Sequence, residues 1–101
     1  IKGKVDKLKV NENLRLPHIG WNDVYFKKEC KLISKLNKSE VFYFLNSYHL
    51  IPDEDSIVDG TCNYGSDFVA VINDKNIFGT QFHPEKSQKP GLLILKNFLE
   101  V

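Results

Sequence analysis

The chain contains no methionine and only two cysteines in 101 residues, carries a formal charge of +1, and has no apolar run approaching the length of a membrane span. Each scarcity excludes something. With no methionine even at the first position, the chain is expected to have lost its native N-terminus or to continue upstream of Ile1. Cys30 and Cys62 lack the spacing of metal ligands. A disulfide between them is open but nothing requires it, and the pattern suits reduced thiols in a cytoplasmic chain. The near-neutral charge, with lysines scattered and never in a long run, leaves no field to hold nucleic acid or an anionic membrane. The opening residues lack the apolar region of a signal peptide. What remains is room for one domain with one core, and 42% apolar residues suit a globular chain.

The hydrophobic pattern predicts a strand-rich chain with one closing helix. Residues 5–10 alternate with lysine and aspartate as a half-exposed strand does. Residues 19–26, with Trp21, Val24, Tyr25 and Phe26, read as a second strand. Leu32, Ile33 and Leu36 recur at helical spacing and predict a short helical turn over 30–36. The aromatic and aliphatic run over 41–50 predicts one buried strand, closed by turn residues at 52–55. Residues 56–63, 67–72 and 75–82 read as three more strands, with Asn73-Asp74 as a tight hairpin loop. Pro90 suits the first turn of a helix over 91–101. That helix is apolar nearly all round, so it is expected to pack on a sheet.

The richest chemistry lies in Phe82-His83-Pro84-Glu85-Lys86-Ser87, between an apolar strand and an apolar helix. An imidazole two residues before a carboxylate is the base-and-orienter half of a nucleophilic triad. Histidine must be held in one tautomer and aimed before it takes a proton from a thiol or hydroxyl. Pro84 fixes the backbone between them. The bare tripeptide would equally serve as a strand-ending turn. A nucleophile is not evident. Cys62 sits in Gly60-Thr61-Cys62-Asn63-Tyr64-Gly65, but a nucleophile elbow needs glycines two residues to either side and a helix after it. Here the second glycine is one residue too far and a strand follows. Cys62 and Cys30 are therefore expected to be structural.

Three blocks in order carry a resemblance: Leu16-Pro17-His18-Ile19-Gly20-Trp21-Asn22, then Phe42-Tyr43-Phe44-Leu45-Asn46-Ser47-Tyr48, then Gly79 to Gln88 around the histidine–carboxylate pair. Over essentially all 101 residues the chain resembles the C-terminal half of a class I glutamine amidotransferase. Within that class it is most similar to the glutaminase subunits that serve imidazole glycerol phosphate synthase in histidine biosynthesis. The resemblance implies an α/β chain, the C-terminal half of a flavodoxin-like domain spanning residues 1–101, with the nucleophilic cysteine and oxyanion hole in an absent N-terminal half. It implies His83 and Glu85 as catalytic and Ser47 and Tyr48 as contacts to the glutamine substrate. It places Trp21, Tyr43, Lys86 and His18 toward a barrel-shaped synthase (cyclase) subunit that receives the ammonia. Neither residues nor resemblance calls for a metal or a cofactor. The family usually has histidine where this chain has Asn46, which leaves open a paralogue feeding another synthase, as in surface-sugar assembly. Another alternative is a non-catalytic, partner-binding remnant. The fragment alone is expected to be inactive.

Overall fold

A computed structural model of the chain describes residues 1–27 and 29–101. Its strands are β1 (Gly3–Lys7), β2 (His18–Phe26), β3 (Ser39–Asn46), β4 (Tyr48–Pro52), β5 (Val58–Asn63), β6 (Asp67–Asp74) and β7 (Ile77–Thr80). Short 3-10 turns at Asp55–Ile57 and Pro84–Lys86 and one helix, α1 (Gln88–Leu99), complete the described elements. Five strands form a sheet in the order β3-β2-β5-β6-β7, and β1 pairs with β4 in a separate ribbon. Every pairing among the described residues is antiparallel.

Alternation along β2 and β3 decides which face is core. His18 and Val24 on β2, and Phe42, Phe44 and Asn46 on β3, are buried, while Ile19, Trp21, Tyr25, Val41 and Leu45 point the other way and are exposed. Successive strand side chains take opposite faces, so one register fixes all of these at once. The core is aromatic. Phe82 stacks on Phe42 with centroids 4.0 Å apart, and Phe44 meets Phe82 and Phe68 edge-on at 5.9 and 5.7 Å. Each such ring contributes about 1.5–3 kcal/mol through burial.

The expected single strand over 41–50 is two strands in two sheets, because the chain bends at Ser47. The Ser47 carbonyl accepts the Leu8 N–H at 2.8 Å, which draws β1 onto β4. The first strand starts earlier than its alternation suggested and is exposed on both faces. Residues 30–36 form successive turns and no helix: Lys35 takes φ 66° and ends any helical path. The hairpin after β6 is present, but its loop is Lys75-Asn76, with Asp74 paired to Ile77. The Asn73 side chain donates to the Lys75 and Ile77 carbonyls and so supports the loop from the strand.

The final helix begins at Gln88, three residues before the sequence expectation. One side does pack: Gly91, Ile94 and Asn97 are buried. Asn97 Nδ2 donates to the Leu32 and Ser34 carbonyls at 2.6 and 2.8 Å, which ties the helix to the turns over 30–36. The other side stays uncovered within this chain, where Leu92, Leu95, Phe98 and Leu99 are exposed. No described helix is long and apolar enough to cross a membrane.

Candidate active site

The site is built where β7 runs out. Gln81 N–H still reaches the Ala70 carbonyl, Phe82 plugs into the aromatic core, and His83 N–H crosses to the Tyr43 carbonyl of β3 at 2.9 Å. Pro84 then opens the 3-10 turn Pro84–Lys86. Proline suits a first helical position because its φ is pre-set and its missing N–H is not needed there. The turn aims His83 Nδ1 at Glu85 Oε2, 3.3 Å away. Both side chains are accessible, at 37% and 60%. The Glu85 carboxyl is held below its ordinary pKa by its own backbone N–H and, further, by the His83 ring. A proton on Nδ1 facing this carboxylate leaves Nε2 as the basic nitrogen, the arrangement a general base requires.

Three of the interface residues expected from sequence share one surface. The Trp21 ring meets Tyr43 edge-on at 5.6 Å, and Lys86 Nζ lies 6.0 Å from the Tyr43 centroid. Because Tyr43 also holds the His83 backbone, this line of side chains runs directly beside the candidate base. Ser47 and Tyr48 lie past the end of β3, at the bend into β4, and Tyr48 is exposed. They share no hydrogen bond with His83 among the described residues.

His18 does not join that surface. It is 3% exposed, on the opposite face of β2 from Trp21, stacked between Tyr64 (4.1 Å) and Phe44 (5.0 Å). The expected interface position is thus a core position, because an odd number of steps separates His18 from Trp21 on a strand of period two. Burial lowers the His18 pKa, against a smaller opposing effect of the Asn46 side chain. Asn46 pairs across the ladder with His18 and donates its Nδ2 to the Tyr48 carbonyl at 3.2 Å.

Neither cysteine is poised as a nucleophile. Both are free and buried. Burial pushes the Cys30 thiol up to about 11 and the Cys62 thiol up to about 12, where thiolate is scarce at neutral pH. No cluster able to hold a metal ion occurs among the described residues.

Two residues of the site went unread in the sequence. Ser87 is fully buried, and its Oγ donates to the His83 carbonyl at 2.6 Å while accepting the Tyr43 N–H at 2.9 Å. Gly91 lies beneath the turn, where an added Cβ would overlap the Pro84 carbonyl oxygen. The signal available was a pair of small residues four positions apart, one ending the histidine motif and one in the helix that follows.

Comparison with known proteins identifies the family. The family model described as glutamine amidotransferase class-I matches residues 3–101. The chain is similar to the imidazole glycerol phosphate synthase subunit HisH of Pyrococcus furiosus, at 53% identity over 96% of this chain and 49% of that protein. HisH of Methanocaldococcus jannaschii is 52% identical over 100% of this chain and 50% of its own length. The chain therefore spans about half the length of these curated relatives. The crystal structure of a protein described as a GMP synthase component, from Thermoplasma acidophilum, shares the fold, with a TM-score of 0.74 at 21% identity over 97% of this chain and 47% of that one.

Proposed function

This chain belongs to the class I glutamine amidotransferases, and on that footing we propose that it carries the base and the orienting carboxylate of a glutaminase. The observation that carries the reading is the His83–Glu85 contact on a turn bonded to β3. A cysteine from outside these 101 residues attacks the amide carbon of glutamine as a thiolate, after giving its proton to His83. His83 returns that proton to the amide nitrogen, which leaves as ammonia. Water, deprotonated by the same ring, then releases glutamate from the thioester. The two buried, high-pKa thiols of the chain support an outside nucleophile. So does the fact that the chain spans half of its relatives.

The two relatives at just over half identity support the setting: the glutaminase side of imidazole glycerol phosphate synthase, a cytoplasmic step of histidine biosynthesis. Its partner is a barrel-shaped cyclase subunit. Ser47 and Tyr48 contact glutamine, and Trp21, Tyr43 and Lys86 face the partner, two rigid aromatics forming walls and a lysine able to pair with a carboxylate. The test uses the full-length subunit with its partner and amide-¹⁵N glutamine. Wild type should hydrolyse glutamine and pass the label to the acceptor. Lys86→Ala should keep hydrolysis but raise the ratio of glutamine consumed to acceptor labelled. An unchanged ratio removes Lys86 from the coupling of ammonia to the partner, and no ammonia from wild type removes the glutaminase reading.

A further inference from the structure

We propose that Ser87, supported by Gly91, is a positioning residue that sets the location of His83 against the strand carrying Tyr43. The inference rests on the glutaminase reading above. His83 and Glu85 sit on an exposed turn, where few contacts would otherwise define the imidazole to the tolerance that proton transfer demands. The Tyr43 backbone supplies that definition from both its groups. Its carbonyl accepts the His83 N–H at 2.9 Å, and its N–H is accepted by Ser87 Oγ at 2.9 Å. The Ser87 hydroxyl then gives its own proton to the His83 carbonyl in a hydrogen bond of 2.6 Å. One buried oxygen therefore joins the backbone of the base to the backbone of its neighbour on β3.

Below the turn, the Ser87 carbonyl accepts the Gly91 N–H at 3.3 Å, and the missing Gly91 side chain lets α1 press against Pro84. The turn is held from above by a strand and from below by a helix, and Ser87 touches both.

The experiment compares Ser87→Thr, which keeps the hydroxyl, with Ser87→Val, which matches threonine in volume and lacks it. Rates are read in the full-length subunit with its partner, per active site counted by covalent titration of the nucleophilic thiol. Ser87→Val should fall about 10- to 100-fold below Ser87→Thr in kcat for ammonia release, with the KM for glutamine within about twofold. Equal kcat in the two variants overturns the proposal, because a merely structural role would change the number of active sites and not the rate of each. If variants at 87 do not fold, Gly91→Ala keeps the hydroxyl but displaces Pro84, and should show the same loss of kcat at constant KM. Wild-type turnover in that variant overturns the proposal. Amide exchange in the wild-type protein needs no variant: the Tyr43 N–H should be strongly protected, and rapid exchange there counts against the bond to Ser87. His83→Ala separates the two claims. Turnover that survives it ends the assignment of His83 as the base, on which the positioning claim rests, whereas turnover lost there but equal in the Thr and Val variants ends only the positioning claim.

Discussion

His18 and His83 carry the same ring into opposite surroundings. His18 opens β2 inside an aromatic sandwich, with its pKa lowered by burial. His83 follows β7 on a turn open to water, with a carboxylate 3.3 Å from one nitrogen. The first is held by its faces, and its Nε2 is held at the edge by the Asn22 side-chain amide 3.3 Å away. The second is held by its backbone and keeps its edge free for protons. At His83 the fold secures the main chain and leaves the ring accessible, as the proposed base would need; at His18 the fold grips the ring itself.

The contrast breaks most visibly at His83. In the full-length protein, His83→Ala should lower glutamine turnover by about 10²- to 10⁴-fold, the span of a lost general acid–base group, with little change in melting temperature. Ammonia release and a thermal melt on the same sample check both halves. His18→Ala should do the reverse. Losing a ring buried between Tyr64 and Phe44 should cost about 2–4 kcal/mol in urea titration, while turnover per folded molecule stays at wild type.

The pH dependence sharpens this pair. The folded His18 has a pKa below the ordinary 6.5, so the unfolded chain binds the extra proton first as pH falls. Stability should decline from about pH 6.5 downward, with a slope of at most about 1.4 kcal/mol per pH unit for one proton, until the folded ring also titrates. His18→Phe should flatten that slope, and an unchanged slope would assign it to other groups. A smaller effect is expected at Glu85. Because the contact is loose and solvent-exposed, Glu85→Gln should reduce kcat by about 10-fold and no more. The smallest concerns Cys62, where Cys62→Ala should cost about 1 kcal/mol and leave turnover alone. A fall in rate there would give the buried thiol a part in the chemistry.

Much of this was legible in the residues, and its limits are instructive. The histidine–proline–carboxylate order foretold the contact between His83 and Glu85, because proline and an i, i+2 pair act within one turn and need no distant partner. Trp21, Tyr43 and Lys86 were expected on one surface and do meet, through the β2–β3 register and the turn that docks on Tyr43. His18 was expected beside them because it is near Trp21 in sequence, but strand periodicity sends the two to opposite faces. The run over 41–50 hid a corner, since a bend at Ser47 changes the sheet without interrupting apolar residues. The hairpin loop slipped two residues because Asn73 and Asp74, good turn formers, serve in the strand while Lys75 takes φ 59°. Leu32, Ile33 and Leu36 have helical spacing, yet their segment is shaped from outside by Asn97 of α1. Ser87 and Gly91 act only through partners that local pattern does not reveal.

The turn that occupies the Tyr43 backbone has a consequence for association between molecules. A sheet is vulnerable at its two outer strands, where unpaired backbone can recruit a strand from a neighbour. At one end β7 is only four residues long and offers a poor template. At the other, β3 is eight residues of mostly aromatic and aliphatic side chains, with Val41 and Leu45 exposed, a far better one. His83 and Ser87 occupy that edge at its midpoint. The segment carrying the imidazole is thus also the stopper on the sheet's open side, and any change that loosens it should first appear as a protein that clumps.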